Sequence, residues 1–119
     1  MIRAKEAKDW AREHLRGNCS SLYTPFSGRD GDDIDYDALR QVVQYCLVDL
    51  DQDGLWLTGG IAEFWSLTTE ELKEVVRVAI EEARRVKPAA LVQVMSCTDT
   101  AKQCVELTLH AQELGADIC

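Results

Sequence analysis

Two short apolar runs, Gly54–Gly59 (GLWLTG) and Ala89–Met95 (AALVQVM), each lead into a stretch whose apolar residues recur every three or four positions. Runs of that length, free of charges, suit strands buried on both faces, and the periodic stretches suit amphipathic helices. Strands alternating with helices require crossover connections, which are right-handed, and so imply a parallel sheet.

The helices are bounded by local signals. From Tyr36 to Leu50 the residues Leu39, Val42, Val43, Cys46, Leu47 and Leu50 form one apolar stripe, and Asp35 stands where an N-cap is needed. A capping box at Thr68 and Glu71 opens a second helix, which carries Leu72, Val75, Val76, Ala79, Ile80 and Ala83 and stops near Val86, ahead of Pro88. Thr98 or Asp99 is the expected cap of a third helix through Cys104, Val105, Leu107, Leu109 and Ala111. Gly115 closes that helix, and residues 116–119 begin another strand. Upstream, Ala4, Ala7, Trp10, Ala11 and His14 predict a helix from Ile2 to Arg16, with Gly17 as its stop. Between that helix and Tyr36 lie a strand-like run, CSSLYTPF, closed by Thr24 and Pro25, and a polar turn, SGRDGDD. The expected order is one helix (residues 1–16), then three strand–helix units and a strand stub (residues 17–119) in a single domain.

Charge and composition exclude several functions. A net charge of −8 gives no basic surface for nucleic acid or anionic lipid. No apolar segment reaches the roughly 20 residues that cross a bilayer, and the charged amino terminus is no signal peptide. Cys19, Cys46, Cys97, Cys104 and Cys119 are odd in number and widely spaced, which fits reduced thiols packed as small hydrophobes in a cytoplasmic protein better than disulfides or zinc ligands. The acidic cluster Asp30, Asp32, Asp33 and Asp35 reads as a solvated loop. Asp49, Asp51, Asp53 and Gly54 match the first half of a calcium loop, D-x-D-x-D-G, but its twelfth position is Gly60, where a bidentate acid is required. Glu63 comes three residues late, so no metal site is expected. His14 and His110 fall on helices with no partner motif and read as structural.

Four stretches in order carry a more specific signal: Tyr23 to Phe26 (YTPF), Ile34 to Leu39 (IDYDAL), Gly59 to Thr68 (GGIAEFWSLT) and His110 to Asp117 (HAQELGAD). Together they resemble the dihydrodipicolinate synthase/N-acetylneuraminate lyase family. The resemblance implies the first part of a (β/α)8 barrel, an assembly as a homo-tetramer or dimer, and chemistry on pyruvate-type 2-keto acids without a cofactor. In such enzymes a lysine on the sixth strand forms a Schiff base and a fifth-strand tyrosine relays protons. A G-T-T-G-E type motif after the second strand grips the keto acid's carboxylate.

Only that motif maps onto this chain, at Gly59 to Glu63. Its glycine and glutamate ends are kept, but Gly60 and Ile61 replace both hydroxyl residues. The backbone amides at Gly59, Gly60 and Ile61 are therefore the candidate carboxylate-binding groups, with Thr24, Pro25 and Glu63 as motif residues of structural weight. Thr58 is adjacent, but strand alternation should turn it away. A barrel of this class needs about 250 residues, with catalytic groups at the ends of several strands. None of Lys5, Lys8, Lys73, Lys87 and Lys102 falls on a strand at the family's position, so the Schiff-base lysine and the tyrosine are expected beyond Cys119, and the chain is expected to be inactive alone. The alternative reading is a non-catalytic half-barrel that associates with another chain. A flavodoxin-like domain would need a phosphate-cradling glycine loop, which Tyr23 to Gly31 does not supply.

Overall fold

A computed structural model describes residue 3 and residues 5–28 and 33–119. Ile2, Ala4, Asp30, Asp32 and the turn around Gly31 lie outside the described residues. The elements are α1 (Ala7–His14), β1 (Cys19–Ser21), β2 (Phe26–Ser27), β3 (Asp33–Ile34), α2 (Tyr36–Gln44), β4 (Gly54–Leu57), α3 (Thr69–Val86), β5 (Leu91–Val94) and α4 (Ala101–Glu113).

Strands β1, β4 and β5 form a parallel sheet in that order, with Cys19 opposite Gly54 and Gly54 opposite Leu91. The expected strand stub adds a single parallel bridge, Gln93 to Ile118. Within this sheet each strand lies beside the next of its members along the chain. Register partners share a face, so Leu55 and Val92 turn toward the helices, as do Leu57 and Val94. All four are buried against Leu39, Val43 and Leu47 of the α2 segment, Val76 and Ile80 of α3, and Leu107 of α4. Pairwise helix contacts of α2 with α3 and of α3 with α4 complete a layer over one face of the sheet.

Among the described residues nothing covers the opposite face, so within this chain the strands are not buried on both sides as expected. Trp56 stands on it and keeps 42% of its surface exposed. The row Ser21, Trp56, Gln93 and Ile118 runs across it, above Cys19, Gly54 and Leu91. Gln93 Nε2 donates to Cys19 Sγ at 3.4 Å within this layer. Of the five thiols only Cys46 is buried; Cys19, Cys97 and Cys104 are half-buried and Cys119 is exposed.

Other differences from the sequence expectations have local causes. Helix α1 ends at His14, because Gly17 turns the chain at φ +92° and Asp53 fills the space beside it. A Cβ at Gly17 would lie 2.0 Å from Asp53 Oδ2. That carboxylate accepts the Asn18 amide at 2.8 Å, while Asp51 pairs with Lys87 Nζ at 2.8 Å. The would-be calcium acids therefore serve as a turn anchor and an ion pair. The run CSSLYTPF is one strand only as far as Ser21; Phe26–Ser27 then pairs antiparallel with Asp33–Ile34 in a small ribbon.

Helix α2 is capped by Asp35, whose Oδ1 accepts the Ala38 amide at 2.9 Å. Its last turn widens over Tyr45–Asp49, with the Leu50 amide reaching back to Tyr45 O at 2.9 Å. A turn holding an extra residue rotates the positions beyond it, so Cys46 and Leu47 stay buried but Leu50 leaves the stripe and is exposed. Helix α3 has the expected capping box. Helix α4 is capped by Thr100 rather than Thr98 or Asp99; Thr98 Oγ1 donates to Thr100 O instead. Its buried stripe is Leu107 and Ala111, and Val105 and Leu109 are exposed. His110 bonds to Lys73 O at 3.1 Å, and His14 stacks on Trp10, so both histidines are occupied locally.

Candidate functional site

Parallel sheets collect their ligand sites at the carboxyl ends of the strands, where the chain turns from strand to helix. Here that end is built from the turn after β4 and the loop after β1. Strand β4 stops at Leu57 because Thr58 adopts a left-handed backbone, φ 54°, which ends the extended run two residues before the expected boundary. Thr58 is 1% exposed, and its Oγ1 donates to Met95 O at 2.7 Å. Its hydroxyl thus ties β4 to the end of β5 and is turned away from the cleft.

Gly59, Gly60, Ile61 and Ala62 then form one tight helical turn, closed by bonds from the Ala62 amide to Gly59 O (3.0 Å) and from the Glu63 amide to Gly60 O (3.1 Å). The amides of Gly60 and Ile61 have no backbone acceptor among the described residues. Glu63 is left-handed, φ 54°, and redirects the chain into a second short turn; its carbonyl accepts the Ser66 hydroxyl at 2.8 Å. The glutamate's side chain is exposed.

Thr24 is buried, and its Oγ1 donates to Ala62 O at 2.8 Å across 38 residues of sequence. This bond fastens the loop after β1 to the Gly59–Glu63 turn. Pro25, next in line, accepts the Asp35 amide through its carbonyl at 2.9 Å and so holds the same loop to the start of α2. The residues singled out from the sequence are therefore drawn into one assembly: Thr24 and Pro25 brace, Gly59 to Ile61 form the turn, and Glu63 ends it.

A cleft of about 210 Å³ opens on this turn, lined by Ser21, Trp56, Gly59, Gly60, Ile61 and Met95. Through Trp56 and Met95 it borders a larger hollow of about 540 Å³, which also takes in Gln93, Ser96, Thr98, Cys97 and Cys104. Cys119 is exposed as a residue, but partial desolvation of its sulfur at the rim of that hollow pushes the thiol pKa up. Among the described residues no lysine lines either space. Lys73 is paired with Glu106 at 2.5 Å and Glu70 at 3.1 Å, and these acids push its pKa up, which keeps the amine protonated. Among the described residues no group of three or more His, Cys, Asp or Glu is placed to hold a metal ion. Ser21, Trp56 and Met95 were not singled out from the sequence. The signal for the first two was the period-2 alternation of the strands, but the register that sets them side by side is tertiary.

Known proteins with this arrangement are numerous. The model of the Dihydrodipicolinate synthetase family matches residues 14–119. The N-acetylneuraminate lyase of Pasteurella multocida is 37% identical over 105 residues, 88% of this chain and 34% of that protein. The crystal structure of N-acetylneuraminate lyase from Mycoplasma synoviae superposes with a TM-score of 0.81 at 25% identity, over 89% of this chain and 35% of its own. That of the Fusobacterium nucleatum N-acetylneuraminate lyase complexed with pyruvate gives 0.77 at 28% identity, over 88% and 34%. The chain spans about a third of the length of the relatives it matches. Its fold is the opening part of a (β/α)8 barrel preceded by a short helix, and the chain belongs to the dihydrodipicolinate synthetase family of lyases.

Proposed function

We propose that the turn Gly59–Glu63 binds the carboxylate of a pyruvate-type 2-keto acid, as part of a Schiff-base enzyme that makes or breaks a carbon–carbon bond. The observation that carries this reading is the pair of amides at Gly60 and Ile61, without backbone acceptors, on a turn braced by Thr24 at the carboxyl end of the sheet. Amide donors held in place bind an anion irrespective of side chain, which suits a turn that lacks its hydroxyls. A carboxylate fixed there presents the neighbouring ketone to an attacking amine. The amine adds to the carbonyl carbon, water leaves, and the resulting iminium makes the adjacent carbon acidic. Residues 1–119 are assigned the carboxylate grip, and none of their lysines is assigned the amine. The pyruvate complex of the F. nucleatum relative supports the choice of ligand.

The same reading takes residues 17–119 as the first units of the barrel and residues 1–16 as a helical segment before it. It places the working enzyme as a homo-tetramer or dimer, and the free thiols favour a reducing, cytoplasmic setting. Titrating pyruvate into the chain and following backbone amide resonances tests the grip: those of Gly60 and Ile61 should shift and saturate. Shifts confined to other regions would remove the basis for the assignment. Borohydride reduction with pyruvate should leave the chain unmodified; a trapped adduct would place the Schiff-base lysine within it.

A further inference from the structure

The turn's two hydroxyl positions hold Gly60 and Ile61, yet the cleft they line does contain a hydroxyl. Ser21 ends β1 opposite Trp56, and residues in parallel register share a face, so its side chain stands on the uncovered face of the sheet. It borders the same cleft as Gly59, Gly60 and Ile61. Three hydroxyls around the turn are spent on backbone carbonyls: Thr24 on Ala62 at 2.8 Å, Thr58 on Met95 at 2.7 Å and Ser66 on Glu63 at 2.8 Å. Ser21 Oγ has no hydrogen-bond partner among the described residues, and the residue is exposed. The space over the turn is also clear, because a Cβ built on Gly60 meets nothing within 4 Å.

We propose that Ser21 is a substrate-binding residue, whose hydroxyl donates a hydrogen bond to the keto-acid carboxylate held at Gly60 and Ile61. The neighbouring strand thereby supplies the hydroxyl donor that the turn lacks. This rests on the keto-acid reading of the turn. A neutral hydroxyl donating to a carboxylate is a charge-assisted bond, so its loss should weaken binding roughly tenfold or more.

The test is a pyruvate titration of the 119-residue chain and of its S21A and S21T variants, followed by amide and side-chain resonances. In the unaltered chain the Ser21 Cβ and Hβ signals should move with the same saturation as the Gly60 and Ile61 amides. S21A should bind about tenfold more weakly, while S21T, which keeps the hydroxyl, should stay within about threefold of the parent. Equal affinity in S21A, or Ser21 signals that stay fixed while the turn amides shift, would overturn the role of Ser21 and leave the turn's assignment standing. If the turn amides of the unaltered chain do not respond at all, the keto-acid reading fails and this inference fails with it.

Discussion

Replacing Thr24 by Val keeps nearly the same shape in a buried position and removes one hydroxyl. That hydroxyl donates to Ala62 O at 2.8 Å, and both residues are buried. The carbonyl of the buried Ala62 would lose its Thr24 donor. Leaving a buried acceptor unpaired costs about 1–3 kcal/mol, against a small transfer gain from the added methyl. For a chain of this size a loss of about 2 kcal/mol lowers Tm by roughly 8 °C. The effect should also be local: amide exchange at Ala62 and Glu63 should accelerate more than at Val92, in the centre of the sheet. Thr24→Ser keeps the donor and should cost about 1 kcal/mol or less, for the lost methyl. Urea melts of the two variants, read by far-ultraviolet circular dichroism, give the comparison. Thr24→Val and Thr24→Ser melts agreeing within about 0.5 kcal/mol would show that the bond does not brace the turn.

Gly17→Ala forces a side chain into a left-handed position with Asp53 Oδ2 2.0 Å from the new Cβ, so a destabilisation of more than about 1 kcal/mol is expected in the same urea melt. Thr68→Ala removes the hydroxyl half of the capping box that opens α3 and should cost about 1–2 kcal/mol, read as a lower midpoint with unchanged slope. The Arg85 guanidinium beside Glu82, helped by Gln44, holds the Glu82 carboxyl below its ordinary value despite burial. Because its folded pKa is depressed, the stability Glu82 contributes is present above about pH 4.5 and is lost as pH falls through the folded value. Glu82→Gln should therefore flatten the stability profile below about pH 5, and a profile parallel to the parent's would contradict the pairing. Gly60→Ser has open space for its side chain, so it should fold within about 0.5 kcal/mol of the parent and bind pyruvate several-fold more tightly, as titration would show.

What could be read from the sequence was what local chemistry decides. The Asp35 cap and the Thr68–Glu71 box depend on residues three apart, and both are found where the pattern put them. The parallel arrangement followed from alternation alone. The sequence could not reveal effects that come from partners distant in the chain. Trp56 read as buried because its neighbours are apolar, but its face of the sheet is the uncovered one. Thr100 takes the cap of α4 because Thr98 is bonded to the Thr100 carbonyl, a choice between adjacent hydroxyls that spacing does not resolve. Within the site, Gly59 to Glu63 was legible as a motif. That Thr24 clamps it depended on a contact 38 residues away, and that Ser21 shares its cleft depended on strand register.

The order in which strands join the sheet has a consequence for how the chain acquires its shape. Within the parallel sheet each strand pairs with the one laid down before it, and the register partners lie only 35, 37 and 25 positions apart. A nascent chain can therefore lay down the sheet in sequence, each new strand finding its template already in place as synthesis proceeds from the amino terminus. The same order means that the growing edge always carries unpaired backbone groups until the next strand arrives. The Asp117 carboxylate accepts the Val92 amide at 2.8 Å and the Arg84 guanidinium at 2.9 Å, so a side chain adds to the backbone bonds that hold this segment to β5.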